Sequence, residues 1–149
     1  IRAIRATLEN VATEEAFERM IQNANRLADG IEDEIAAIGL PWSVTRCGAR
    51  VELQFAPNPP RTGAEAKSQI DWDLLGFIHL YLANRGVPLT PFHNMMLISP
   101  VTDVAAIDLL VSQLTSCMEE LMELNDRGIN RESKRQIQSL CATGEKAEL

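Results

Sequence analysis

The sequence predicts an α+β domain in which a small antiparallel sheet of three to four strands packs against helices. In three separate segments apolar residues recur at steps of three and four, which is typical of amphipathic helices. Between those segments the pattern changes to alternation or to short apolar runs, which is typical of strands. The resulting order is helix, two strands, helix, two strands, helix.

The first helix is predicted from Thr13 to Ile38. The Thr13 side chain can cap free backbone amides, and the two glutamates that follow it oppose the positive end of the helix dipole. Gly39 is a typical helix end. The expected core-facing stripe consists of Phe17, Met20, Ile21, Ala24, Leu27, Ala28, Ile31, Ile35 and Ile38.

Two short strands, or one strand bent at Gly48, are predicted between Trp42 and Phe55, because apolar and polar residues alternate there. The sequence PNPPRTG at 57–63 predicts an exposed loop, since its three prolines donate no backbone hydrogen bond. A second helix is predicted around the apolar residues from Trp72 to Leu82, and the sequence NRG at 84–86 ends it.

Short strands are then predicted at 87–90 and 95–99, joined by a turn at 91–94. Thr102 and Asp103 start the last helix, whose apolar stripe continues to Leu121. We expect residues 1–124 to form one domain and residues 125–149 to form a polar tail, partly helical or disordered.

Composition excludes several classes of protein. The 149 residues are 46% hydrophobic and 23% charged, as in a soluble globular domain, and no apolar run is long enough to cross a membrane. A net charge of −7 argues against a nucleic-acid partner. The three cysteines show no paired spacing, which favours a reducing, cytoplasmic setting without a metal. The start at Ile1, without a signal-peptide pattern, suggests a piece of a longer protein.

Catalytic motifs are missing from the sequence. It contains no glycine-rich phosphate motif and no nucleophile motif. His79 lies in an apolar helix, where a structural role is the better interpretation. Lys67, Lys134 and Lys146 lie in polar segments that would not lower the pKa of a Schiff-base lysine. A metal site joining His93 to Cys47 or Cys117 fits no known ligand spacing.

Four residues are candidates for ligand binding. Arg46 and Arg50, on either side of Gly48, would lie on the same side of a strand and could clamp a carboxylate. The alternative is an exposed sheet face paired with acids. His93 and Asn94 lie in the turn between two predicted strands and could project into a cleft. In the alternative, Asn94 only provides a left-handed turn residue and His93 faces water.

Several stretches occur in one collinear order: RATLENVATEEAFERMIQNANRLADGI, GLPWSVTRCGARVELQFAPNPPRTGAEA, LLGFIHLYLANRGVPLTPFHNMMLISP and the closing helix. Together they resemble the C-terminal part of class III, fold type I pyridoxal-phosphate-dependent aminotransferases. Within that family the glutamate-1-semialdehyde 2,1-aminomutase branch is the nearest in pattern. The resemblance covers roughly residues 3 to 124.

The resemblance implies a small C-terminal domain that packs on an N-terminal large domain and closes one wall of the active-site cleft. The large domain would supply the Schiff-base lysine and bind pyridoxal 5'-phosphate, so no catalytic or cofactor-binding residue is expected in this chain. A homodimer and an amino acid or related carboxylate as substrate are also implied.

The resemblance also implies roles for the candidate residues. Arg46 or Arg50 would meet the substrate carboxylate, and His93 with Asn94 would border the substrate entrance. The aminomutase branch commonly carries an acid at this turn, and its replacement here favours general amino transfer over a semialdehyde mutase. A stand-alone, non-catalytic binding or oligomerisation module with the same fold is the competing hypothesis.

Overall fold

The structure, a computed structural model, describes residues 1–89 and 94–126. In these ranges it contains five helices and three strands: α1 Arg2–Asn10, α2 Glu14–Ile38, β1 Ser43–Cys47, β2 Arg50–Gln54, α3 Gly63–Ser68, α4 Trp72–Ala83, β3 Met95–Leu97 and α5 Val104–Asp126. The predicted α+β class, with a small antiparallel sheet against helices, is confirmed.

The chain divides into two compact units, Ile1–Cys117 and Met118–Leu149. The first unit holds the whole sheet and the first four helices. The described part of the second unit is the end of α5. The boundary predicted after residue 124 stays a prediction, and residues 127–149 of the predicted tail lie outside the described residues.

Helix α2 follows the prediction to within one residue at its start. The Thr13 hydroxyl accepts a hydrogen bond from the amide of Ala16 at 3.3 Å. At the other end Gly39 takes the left-handed conformation, with φ of 79°, and its amide donates to the carbonyl of Ile35. These two caps satisfy backbone groups that the helix itself leaves free.

The buried face of α2 consists of Ala16, Met20, Ala24, Leu27, Ala28, Ile31 and Ile35. Three members of the predicted stripe do not belong to it: Phe17 is 49% exposed, Ile21 is 38% exposed and Ile38 is half-buried. The predicted stripe is therefore correct only for the part of α2 that faces the core.

The three strands form one antiparallel sheet in the order β1-β2-β3. The chain turns between β1 and β2 at Gly48, whose φ of 56° suits glycine. Of the two predicted alternatives, the pair of strands is therefore correct. Helix α2 packs on β1 and β2, and Val51 at the centre of β2 is fully buried.

Helices α2 and α5 lie side by side and run in the same direction. Asn23 donates to the carbonyl of Thr102 at 3.0 Å, and three residues further along α2 the guanidinium of Arg26 binds both oxygens of Asp108. A Cβ at Gly30 would lie 3.2 Å from a methyl group of Val111. Glycine at this position therefore allows the two helices to approach closely.

The segment around 87–99 differs from the prediction. Residues 87–89 of the first predicted strand form no strand, and residue 90 lies outside the described residues, as do residues 91–93 of the turn predicted at 91–94. Pro88 lacks the amide donor that a ladder needs. The second predicted strand is shorter than expected and ends at Leu97 as β3. The amide of Ile98 still donates to the carbonyl of Ala49 at 3.0 Å.

Two short helices were not predicted. Helix α1 has no buried residue, so it could not be predicted from a pattern of buried and exposed positions. Helix α3 begins at Gly63, the last residue of the predicted loop, and Thr62 caps it by accepting from the amide of Glu65 at 3.2 Å. Helix α4 was predicted, and the carboxylate of Asp71 caps its start.

Among the helices of the described ranges, none combines the length and the apolar character that crossing a bilayer requires.

Replacing Leu27 with alanine should lower the free energy of unfolding by about 2–5 kcal/mol, because loss of this fully buried side chain would leave a cavity in the core. Urea denaturation followed by circular dichroism measures the change. Leu8→Ala is the control, since Leu8 is 63% exposed, and it should stay within about 0.5 kcal/mol of the parent. Equal effects of the two variants would contradict the packing of α2.

Candidate functional site

The sheet has two unlike faces. Residues paired across antiparallel strands point to the same side of the sheet. The register therefore puts Val44, Arg46, Val51 and Leu53 on the side that α2 covers. The opposite side, which we call the open face, consists of Ser43, Thr45, Cys47, Arg50, Glu52, Gln54, Met95 and Leu97.

Arg46 lies on the covered side and joins β1 to α2. Its guanidinium forms ion pairs with Asp29, at 2.7 Å, and with Glu32. Partial burial lowers the pKa of Arg46, but the hydrogen bond to Asp29 and the charge of Glu32 outweigh that effect and raise it above the usual value. This arginine is therefore already engaged with two carboxylates.

Arg50 lies on the open face and is 46% exposed along its side chain. Its guanidinium contacts the carboxylate of Glu52 at 2.6 Å. Glu52 itself is more shielded, with 17% of its side chain exposed. Sequence reasoning did not single out Glu52, although its position two residues beyond Arg50 on one strand places both on the same side.

The predicted placement of Arg46 and Arg50 on one side is wrong. In a continuous strand residues four apart share a face, but the chain reverses at Gly48 and the pairing continues as Arg46 with Val51 and Cys47 with Arg50. The two guanidiniums thus point to opposite sides of the sheet and cannot clamp one carboxylate. Whether either arginine alone binds substrate stays a prediction.

Asn94 immediately precedes β3 and has the left-handed φ of 49° that the turn alternative anticipates. It is only 5% exposed, so it does not project into open solvent. Its carbonyl accepts from the amide of Leu53 at 3.5 Å. His93 lies outside the described residues, so the structure brings Asn94 alone of this predicted pair towards β2.

The other singled-out residues form no second site in the described ranges. His79 is half-buried on α4, and its Nδ1 atom is buried without a hydrogen-bond partner in those ranges. Cys47 is exposed and Cys117 is buried. No group of three or more His, Cys, Asp or Glu residues that could hold a metal occurs within residues 1–89 and 94–126.

Replacing Arg46 with glutamine should lower the free energy of unfolding by about 1 kcal/mol, because two partly exposed ion pairs between β1 and α2 are lost. Urea denaturation measures the loss, which should shrink in about 1 M NaCl as salt screens the pairs. Arg19→Gln, on an exposed part of α2, is the control and should have almost no effect. If the urea concentration at the unfolding midpoint of Arg46→Gln equals that of the parent, these ion pairs do not stabilise the fold.

We compared the sequence and the fold with those of known proteins. No family model matches the chain. Glutamate-1-semialdehyde 2,1-aminomutase 2 of Brevibacillus brevis is 30% identical over 99 residues, which is 65% of this chain and 23% of the relative. A crystal structure of a glutamate-1-semialdehyde aminomutase from Pseudomonas aeruginosa, in complex with PMP, is 44% identical over 80% of this chain, with a TM-score of 0.78.

A more distant structure, an omega-transaminase from Sphaerobacter thermophilus, shares the fold at 21% identity and a TM-score of 0.62 over 72% of the chain. The chain spans about a quarter of the length of these proteins, 23% to 26% in the three comparisons. The predicted resemblance is confirmed: over most of its length, the chain is related in sequence and fold to one segment of class III pyridoxal-phosphate enzymes of the glutamate-1-semialdehyde aminomutase and transaminase type.

Proposed function

We propose that the chain is the C-terminal small domain of a pyridoxal-phosphate-dependent class III aminotransferase or aminomutase. The complete enzyme would transfer an amino group on an amino acid or related carboxylate, and this domain would close one side of the substrate cleft. The observation that carries the proposal is the 44% identity, together with the TM-score of 0.78, to a segment of the Pseudomonas aeruginosa aminomutase.

The described residues do not fit pyridoxal phosphate by themselves. Lys67 is the lysine of the described ranges, and it is exposed on the short helix α3 and not in the apolar pocket that a Schiff-base lysine commonly occupies. Lys134 and Lys146 lie outside these ranges. In the proposal the cofactor is therefore held by the N-terminal large domain, and this chain contributes shape, substrate contacts and exclusion of water.

The exposed apolar side chains of α1 indicate that another surface covers this helix in the complete enzyme. Two large apolar side chains of α1 and one on either side of the helix recur at steps of three and four residues, the spacing of a helix-packing stripe. All four are exposed: Ile1, Ile4, Leu8 and Val11. A nine-residue helix without buried side chains is only marginally stable in water. A partner that covers this stripe would stabilise it, and we assign that partner to the large domain.

Arg50 is the better of the two arginines for the substrate carboxylate. It lies on the open face and is half-exposed, and a guanidinium has five donors, of which the Glu52 contact uses only a part. Arg46 is held by two carboxylates of α2. We further propose, as the resemblance implies, that His93 and Asn94 border the substrate entrance; of the two, Asn94 is described and is buried beside β2.

The remaining features of the proposal are a cytoplasmic homodimer and a small amino acid substrate. The competing hypothesis, a stand-alone oligomerisation module, draws on the same exposed stripe of α1, since a second copy could cover it. The two hypotheses differ in one respect that can be measured, namely whether the chain restores amino transfer when it replaces the matching segment of a relative.

The test is a chimera in which residues 1–126 replace the matching segment of the Pseudomonas aeruginosa aminomutase. The chimera should bind pyridoxal phosphate and transfer amino groups. Within it, Arg50→Gln should raise KM for the carboxylate substrate by about tenfold to a hundredfold with little change in kcat, as expected for loss of a charged hydrogen bond in binding.

Arg19→Gln, on an exposed part of α2, is the matched control and should leave KM unchanged. A chimera that folds and binds the cofactor but transfers no amino group would contradict the proposed function. An active chimera whose KM does not respond to Arg50→Gln would contradict only the assignment of Arg50.

A further inference from the structure

A cavity of about 280 Å³ lies between the end of β2 and helix α3. Its apolar lining includes Leu53, Phe55, Ile70 and Leu75, and its polar lining includes Glu52 and Gln69. The volume lies at the lower end of the range for small-molecule sites, which begins at about 300 Å³. The cavity is therefore large enough for a small organic molecule.

The Gln69 side chain presents an unused acceptor in this cavity. Its Nε2 atom donates to the carbonyl of Asn58 at 3.4 Å, which fixes the orientation of the amide. Its Oε1 atom is buried and finds no hydrogen-bond partner within the described ranges. A buried acceptor without a donor costs about 1–3 kcal/mol, so the site is built to receive an N–H or O–H group.

Glu52 provides a second acceptor in the same lining. Its side chain is 17% exposed, and its Oε2 atom accepts from Arg50 at 2.6 Å, which leaves Oε1 for another donor. The other charged group of the lining, Lys67, is exposed, so water screens its charge more effectively. The shielded groups of the cavity, Oε1 of Gln69 and the Glu52 carboxylate, are hydrogen-bond acceptors and therefore favour a ligand that donates over an anion that only accepts.

We propose that this cavity binds a small primary ammonium compound with a short apolar tail. The ammonium group donates to Oε1 of Gln69 and to the carboxylate of Glu52, and the tail packs on the apolar lining residues. An ammonium group has three donors and no acceptor, which matches a site that offers acceptors. The inference uses only the cavity and does not depend on the proposed amino-transfer activity.

Trp42 supplies a reporter for the test, because its ring lies 5.0 Å from the ring of Phe55 in the cavity lining. In a Trp72→Phe background of the full chain, fluorescence is titrated with n-pentylammonium and with 1-pentanol, which has the same tail but no charge. The ammonium compound should bind saturably, with a Kd about tenfold or more below that of the alcohol.

Glu52→Gln should weaken n-pentylammonium binding about tenfold and leave 1-pentanol unaffected, whereas Glu18→Gln, on an exposed part of α2, should change neither. Gln69→Met, which removes the free acceptor at similar volume, is a second variant in case Glu52→Gln fails to fold. The proposal is overturned by equal Kd values for the two compounds, by a signal that does not saturate, or by binding that both cavity variants leave intact.

Discussion

The packing of α2 on the β1–β2 hairpin is the interaction on which the rest of the structure depends. Leu27 and Ile31 on the helix and Val51 on the sheet are fully buried, and burial of such side chains is the main favourable term in folding. Because α2 covers only one side of the sheet, Cys47, Arg50 and Leu97 on the opposite side remain exposed. The same helix also holds α5 through the contacts of Asn23 and Arg26, so it organises both the sheet and the helical layer.

This constraint determines what each arginine does. The reversal at Gly48 brings Arg46 to the side that α2 covers, where Asp29 and Glu32 bind it, and leaves Arg50 on the open face beside Glu52. One arginine thus reinforces the fold, while the other keeps a guanidinium accessible. This placement of the two arginines is consistent with the proposed domain, whose open face would border a cleft formed by the large domain.

Sequence reasoning predicted the elements whose signals are strong and local. The cap at Thr13, the left-handed end at Gly39 and the apolar spacing of α2 all agree, and the helix was predicted nearly to the residue. It failed where tertiary context decides. Helix α1 buries no side chain and was missed, and residues 87–89 form no strand. The sides of Arg46 and Arg50 depend on a chain reversal at Gly48, which only one of the two predicted alternatives contained. Glu52 was missed because a lone acid on a strand has no motif.

The chain is similar to about a quarter of a longer enzyme, and the stripe on α1 is exposed. We propose on this basis that the domain closes a cleft and performs no chemistry alone. The most direct test is an amino-transfer assay of the purified chain with pyridoxal phosphate and an amino donor, followed by borohydride reduction and peptide mapping. The account predicts no turnover and no stoichiometric pyridoxyl adduct on Lys67, Lys134 or Lys146. Turnover accompanied by a stoichiometric adduct on one of these lysines would contradict it.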